Sequence, residues 1–307
     1  ILFLQFAYLS LGKKIYGKNM SEFAAKRSTV NQTITASRGS IYDKDGSSLA
    51  LNVSSYTLIA YLNSNRKDIN GKPDYVENID DTSNKLAQVL NCDPNTLKTT
   101  LENSNKYQVE FGSVGKGLTE LTKTTIEELN LQGIDFVESQ KRFYPNGDFA
   151  SYIIGYAKNS NSDDLSSEIK GELGIELEYN DILKGKDGYL KYQQDRYGYK
   201  IAGTREEKKE AENGYDIYLT LDSTIQRFVE SAIDETEKNY NPEWMTITVM
   251  DAKTGDILGS GSSPSYDPNQ RNLTSYENPL VSYVYEPGST MKIYTYMCAM
   301  ENNKYDG

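Results

Sequence analysis

The hydrophobic pattern divides the chain into short elements separated by turn signals. Asp45-Gly46 is a hairpin turn signal, flanked by Ser40-Ile41-Tyr42 and Ser48-Leu49-Ala50. Ser55 to Leu62 reads as a strand, and the polar stretch Asn63 to Asp81, with Gly71 and Pro73, is a loop. Thr82 to Leu90 carries Leu86, Val89 and Leu90 at helical spacing. Asp93-Pro94-Asn95 opens a second helix through Leu97 and Leu101. Thr124-Thr125-Ile126-Glu127 has the form of a capping box before Leu129. Gly133 to Val137 then returns as a strand. These elements predict a small α+β module near residues 63–140, inserted in a longer one.

Residues 200–213 form the most charged segment and mark a boundary, either a surface hairpin or a linker. Beyond it, Tyr215 to Leu221 alternates as a strand. Asp222 or Ser223 caps a helix whose buried face is Ile225, Phe228, Val229, Ala232 and Ile233. Thr246 to Met250 is a strand, Asp251 to Gly255 a turn, and Ile257-Leu258 begins the returning strand. An irregular loop, SSPSYDPNQRN, follows. The last helix carries Met291, Ile293, Tyr294, Met297 and Met300, a composition that predicts burial.

Ile1 to Leu11 is apolar apart from Gln5 and Ser10. Eleven helical residues span about 16 Å, against the roughly 30 Å of a bilayer core. This stretch is therefore expected to be the C-terminal part of a membrane anchor, with a signal-peptide core or a buried soluble helix as alternatives. Lys13, Lys14 and Lys18 follow it.

Composition narrows the function classes. The 307 residues suit two domains. Hydrophobic residues make up only 37%, so the 25 tyrosines are needed to fill cores. A net charge of −11 argues against nucleic acid as a partner. Cys92 and Cys298 lie too far apart in sequence for a metal motif or a disulfide framework, and are expected to be small buried apolar groups. No metal and no cofactor are expected. The absence of histidine, with many Asn, Lys and Tyr residues, points to an AT-rich Gram-positive genome.

That absence also sharpens the chemistry. Without imidazole no Ser-His-Asp triad can form. Glu286-Pro287-Gly288-Ser289-Thr290-Met291-Lys292 instead sets a serine three residues before a lysine. On a helix these positions share a face, so Lys292 could take the proton that makes Ser289 a nucleophile. Pro287-Gly288 breaks the preceding segment, so Ser289 starts the helix, where free N–H groups can hold an oxyanion. The plain alternative makes Ser289 an N-cap and Lys292 a solvated first-turn residue. A cation opposes the helix dipole there, and a free ammonium is costly in a buried helix. Both difficulties ease if Lys292 is partly withdrawn from water and serves as general base.

Those residues, EPGSTMK, resemble the EPGSTFK box of class B penicillin-binding proteins, with Met291 in place of phenylalanine. RGSIYDKDGSSLA (38–50) is similar to the family's RG-x-I-x-DRNG-x-x-LA segment. The stretch from Arg142-Phe143-Tyr144-Pro145-Asn146-Gly147 to Gly155-Tyr156 resembles its R-x-YP-x-G…GY stretch. GELGIELEYNDILKGKDG (171–188) resembles its G-x-x-GIE-x-x-YN-x-x-L-x-G-x-x-G element. TLDSTIQ (220–226) and PSYDPN (264–269) match two further boxes. The six elements keep the family's order and cover nearly the whole chain.

The resemblance implies an elongated α+β pedestal, or dimerisation, domain over 12–205. The start of an α/β transpeptidase domain of the penicillin-binding and β-lactamase type follows over 206–307, with a partial membrane helix at 1–11. It implies a peptidoglycan D,D-transpeptidase in which Ser289 attacks the D-Ala-D-Ala bond of a stem peptide. Lys292 is the base, and an amine of a neighbouring stem resolves the acyl-enzyme. β-Lactam antibiotics would acylate the same serine. The pedestal would contact a membrane glycan polymerase of the shape, elongation, division or sporulation class. The protein would sit in the cell membrane by a single pass, its catalytic domain extracytoplasmic.

The family's S-x-N and K-T-G motifs do not follow within the chain, which ends at Gly307. The 307 residues are accordingly expected to be a truncated form, inactive alone. Two other functions fit the same core. A β-lactam sensor or β-lactamase keeps S-x-x-K but has no such pedestal. A non-catalytic activator of a glycan polymerase would act through the pedestal.

Overall fold

In a computed structural model, the protein is described over residues 14–15, 18–19, 28–68, 70–103, 105–161, 164–194, 200–201 and 206–305. Ile1 to Leu11, the expected anchor, lies outside the described residues. No helix among the described residues is long and apolar enough to cross a membrane.

After a short antiparallel pair, Lys14–Ile15 with Lys18–Asn19, strand β1 (Thr29–Ile34) runs into Arg38-Gly39 and then a hairpin, β2 (Ile41–Tyr42) and β3 (Ser48–Tyr61). The Asp45-Gly46 turn forms where the sequence predicts it. The Asp43 carboxylate accepts the N–H groups of Asp45 at 2.9 Å and Ser47 at 2.7 Å. Gly46 takes φ +87°, which glycine adopts without a side-chain penalty. β3 is longer than its apolar run predicts, because a polar middle, Asn52 to Ser55, joins two apolar stretches into one strand.

From the far end of β3 the chain builds a lobe of its own. Helix α1 (Ile79–Leu90) is capped by Asn78, three residues ahead of the expected start, because the Asn78 side chain accepts from Asp81 N–H. Helix α2 (Pro94–Leu101) has Asp93 as its cap and proline in its first turn. Strand β4 (Gln108–Glu110) pairs with the end of β3. Helix α3 (Glu120–Glu128) corrects the expected capping box. Thr119 is the cap, and Thr124 lies inside the helix, donating its hydroxyl to the Glu120 carbonyl. Strand β5 (Ile134–Phe143) then lies antiparallel along β3 from Leu51 to Ala60. Leu58, Leu86, Leu97, Leu101 and Ile126 fill the lobe's core.

The return path is α4 (Ser151–Ile154), the hairpin β6 (Tyr156–Asn161) and β7 (Asp164–Leu173), then α5 (Gly174–Glu178) and α6 (Asn180–Leu183). Strand β8 (Gly188–Gln193) pairs with β1 on one side and with β9 (Glu207–Lys209) on the other, so the charged boundary is partly a surface hairpin. Strand β10 is only Ile217–Tyr218, parallel to β2, with Tyr218 stacked on Tyr42. The predicted strand stops early because Asp222 already caps the next helix.

Helix α7 (Ser223–Tyr240) packs on the hairpin β11 (Met245–Met250) and β12 (Ile257–Ser263). Its buried residues are Gln226, Val229 and Ile233. Phe228 and Ala232, expected on that face, are exposed, since buried Gln226 displaces the contact stripe around the helix. A short helix α8 (Pro279–Ser282) precedes a 3₁₀ turn, Gly288–Met291, and the final helix α9 (Lys292–Glu301).

A second core gathers Ile41, Leu49, Tyr144, Tyr152, Leu183, Leu221 and Tyr266 from both halves of the sequence. At its edge Gly155 has φ +75°, and a Cβ there would lie 1.7 Å from the Leu173 carbonyl oxygen. Gly155→Ala combines a strained φ with a main-chain clash. It should lower unfolding stability by about 2 kcal/mol or more, read as a drop in urea midpoint. An unchanged midpoint would refute the packing described.

Candidate active site

The segment Glu286 to Lys292 turns sharply at Gly288, which has φ +55°. The residues that follow form one 3₁₀ turn, and the carbonyl of Ser289 accepts the N–H of Lys292. In a 3₁₀ turn positions i and i+3 eclipse each other. Ser289 and Lys292 therefore leave the main chain on the same side, with α9 beginning at Lys292 itself. The Ser289 side chain caps neither the turn nor α9, so the hydroxyl is not spent as an N-cap.

The expected burial is not found. Ser289 and Lys292 are exposed, and α9 has no buried residue. Met291, Ile293, Tyr294 and Met297 are each about half exposed or more. Within the described residues α9 follows a two-stranded β11–β12 sheet, too small a surface to cover an apolar helix. Cys298, on the same helix, is exposed too, against expectation. Cys92 is half-buried, and burial pushes its thiol up. Sequence reasoning missed an aromatic cluster that precedes this segment in the chain. Trp244 meets Tyr283 and Tyr285 edge-on, at 5.3 and 6.4 Å between ring centres.

The other five motifs build the framework behind the site. Arg38, Arg142 and Glu176 form a buried triad. Arg38 Nε donates to Glu176 Oε2 at 2.8 Å, and Arg142 Nε to Oε1 at 2.5 Å. The remaining Arg38 donors reach the carbonyls of Ile169 and Glu176 and the Asn180 side chain. Burial pushes the Arg38 guanidinium down from its ordinary value, and Glu176 opposes that shift. Tyr144 donates its hydroxyl to Glu176 Oε1 and accepts the N–H of Ala157 at 2.7 Å. Burial, then the Glu176 charge, raises this phenol well above its usual range.

Tyr144 is also where the two parts of the chain meet. The Asn269 amide grips its main chain like a neighbouring strand. Oδ1 accepts from Tyr144 N at 3.0 Å, and Nδ2 donates to Tyr144 O at 2.9 Å. The Tyr266 hydroxyl donates to the Ser151 carbonyl, and the Tyr152 hydroxyl to the Ser275 carbonyl. Glu230 of α7 accepts the N–H of Ala150 at 2.9 Å. Burial raises its carboxyl. Gln226 links Glu230 to both main-chain groups of Ser260 in β12.

The hairpin turn makes the last connection. The Ser223 hydroxyl donates to the Asp43 carboxylate, Lys44 N donates to the Leu221 carbonyl at 3.0 Å, and Lys44 Nζ pairs with Asp222 at 3.3 Å. Burial would raise the Asp43 carboxyl, but hydrogen bonds from Ser223 and the N–H groups of Ser47 and Asp45 outweigh it and hold the group below its ordinary value. A carboxyl depressed in the folded state contributes stability above its unfolded pKa, and that contribution is lost as pH falls through the folded value. Stability should therefore drop below about pH 4, and Asp43→Asn should flatten that part of the profile. An identical acid limb in the variant would remove Asp43 as its source.

Comparison with known proteins agrees with this arrangement. The penicillin-binding protein dimerisation domain family matches residues 33–219, and the penicillin binding protein transpeptidase domain family matches residues 245–307. The chain is 32% identical to stage V sporulation protein D of Bacillus subtilis, over 94% of this chain and 42% of that protein. It is 29% identical to the peptidoglycan D,D-transpeptidase MrdA of Escherichia coli K12, over 87% of this chain and 44% of that one. The chain thus spans less than half the length of these relatives. The crystal structure of penicillin binding protein 2X from Streptococcus thermophilus superposes with a TM-score of 0.70 at 32% identity, over 90% of this chain and 42% of that chain. With a dimerisation domain matching more than half its length and the start of a transpeptidase domain behind it, the chain belongs to the class B penicillin-binding proteins.

Proposed function

We propose that the protein is a peptidoglycan D,D-transpeptidase that cross-links stem peptides through an acyl-enzyme on Ser289, with Lys292 as general base. The observation that supports this reading is the single 3₁₀ turn, closed by the Lys292 N–H on the carbonyl of an uncapped Ser289, within a segment matched by the transpeptidase family. Ser289 Oγ would attack the carbonyl of the D-Ala-D-Ala bond as Lys292 takes its proton. The amide C–N bond then breaks and D-Ala leaves as the amine. The amine of a second stem displaces the serine and forms the cross-link. A β-lactam would enter the same first step and stay as a ring-opened ester.

On this reading the pedestal is residues 12–205 and the transpeptidase part begins at 206. Ile1 to Leu11 belongs to a single-pass anchor, with the transpeptidase part outside the membrane, and the pedestal contacts a membrane glycan polymerase. The test is to treat the protein as encoded by its gene with a fluorescent penicillin and map the labelled peptide. Label on the peptide that holds Ser289 is expected, and label confined to another peptide would overturn the assignment.

A further inference from the structure

A cleft of about 270 Å³ opens between the end of β1, the outer edge of β5 and the return strand β7. It is lined by Glu138, Ser139, Gln140, Glu168, Lys184 and Asp187, among others. Three of these are consecutive residues of β5. Side chains alternate between the two faces of a strand, so a run of three at one wall means that the strand's main-chain edge faces the cleft. β5 is paired with β3 along its inner edge and with no strand among the described residues along its outer edge. In an antiparallel ladder alternate residues point N–H and C=O away from the partner. The cleft wall thus offers main-chain groups suited to a further strand.

Charge defines what such a strand must carry. Glu138, Glu168 and Asp187 bring three carboxylates. Arg38 also borders the cleft, but its donors are taken by Glu176, Ile169 and Asn180. Lys184 is paired with Asp181 at 2.7 Å. Among the described residues no group of His, Cys, Asp or Glu converges closely enough to hold a metal ion. The negative excess suits an ammonium or guanidinium on a flexible stem.

We propose that this cleft receives an extended segment of a partner protein, which adds to the outer edge of β5 as a strand and sets a lysine or arginine among Glu138, Glu168 and Asp187. Main-chain pairing supplies affinity in this mode and the side-chain pocket supplies selectivity. The test is selection of displayed random nonapeptides on the protein as encoded by its gene. Enriched peptides should alternate apolar and polar residues around a central Lys or Arg. Their binding should fall at least about tenfold with Glu138→Lys plus Glu168→Lys. Proline at the central strand position, which removes a main-chain donor, should cause a similar loss. Both glutamates are exposed, so the thermal transition of the variant should be unchanged. No enrichment, enrichment of peptides without a basic residue, or binding that survives the charge reversal would each overturn the proposal.

Discussion

Ser289→Ala is expected to abolish covalent labelling by a fluorescent penicillin, while Lys292→Ala slows labelling by roughly 10²- to 10⁴-fold, the usual share of a positioned general base. The two losses differ because they remove different things. Alanine at 289 removes the atom that forms the ester. Alanine at 292 leaves that atom but gives its proton nowhere prepared to go. Lys292→Arg should not rescue, since a guanidinium stays protonated and cannot act as a base. The decisive measurement is the second-order acylation rate of each variant. Full-rate labelling of Ser289→Ala would remove Ser289 as nucleophile. Normal acylation in Lys292→Ala, with Ser289 still essential, would move the base elsewhere and leave the nucleophile standing.

The second large effect is structural. Glu176→Ala should cost about 3–5 kcal/mol of folding stability, because removing one partner of a buried ion pair leaves charge uncompensated. Here two buried guanidinium groups depend on one carboxylate, and the Tyr144 hydroxyl shares it. The loss should appear as a large fall in urea midpoint. Tyr144→Phe removes one hydroxyl and leaves the Ala157 N–H without its acceptor, and should cost about 1–3 kcal/mol. A small loss for Glu176→Ala would show that Arg38 and Arg142 find water or other acceptors readily.

Much of this was legible in the sequence, for identifiable reasons. The Asp45-Gly46 turn and the caps Asp93 and Asp222 are local devices, set by a few neighbouring atoms, and they appear where predicted. Thr124 misled because several threonines compete near that helix start, and Thr119 wins with a bond to Thr122 N–H. Phe228 misled because helical spacing cannot anticipate a buried Gln226 that bonds across to β12. The spacing of Ser289 and Lys292 is local too, and the turn that carries both is closed by the Lys292 N–H on the Ser289 carbonyl. The grip of Asn269 on Tyr144 joins residues 125 positions apart, and nothing local marks it.

The contacts across the joint between the two parts are mostly between a side chain and a main-chain group. Asn269 holds the peptide groups of Tyr144, Glu230 the N–H of Ala150, Tyr266 the carbonyl of Ser151, and Tyr152 the carbonyl of Ser275. Any residue can supply a main-chain acceptor or donor, whereas few can supply the reaching amide or carboxylate. A substitution at Asn269 therefore has no compensating change available at position 144. Across relatives, the two sides of the joint should drift without correlation. Methods that detect contacts from paired substitutions should miss it, although it holds the transpeptidase part to the pedestal.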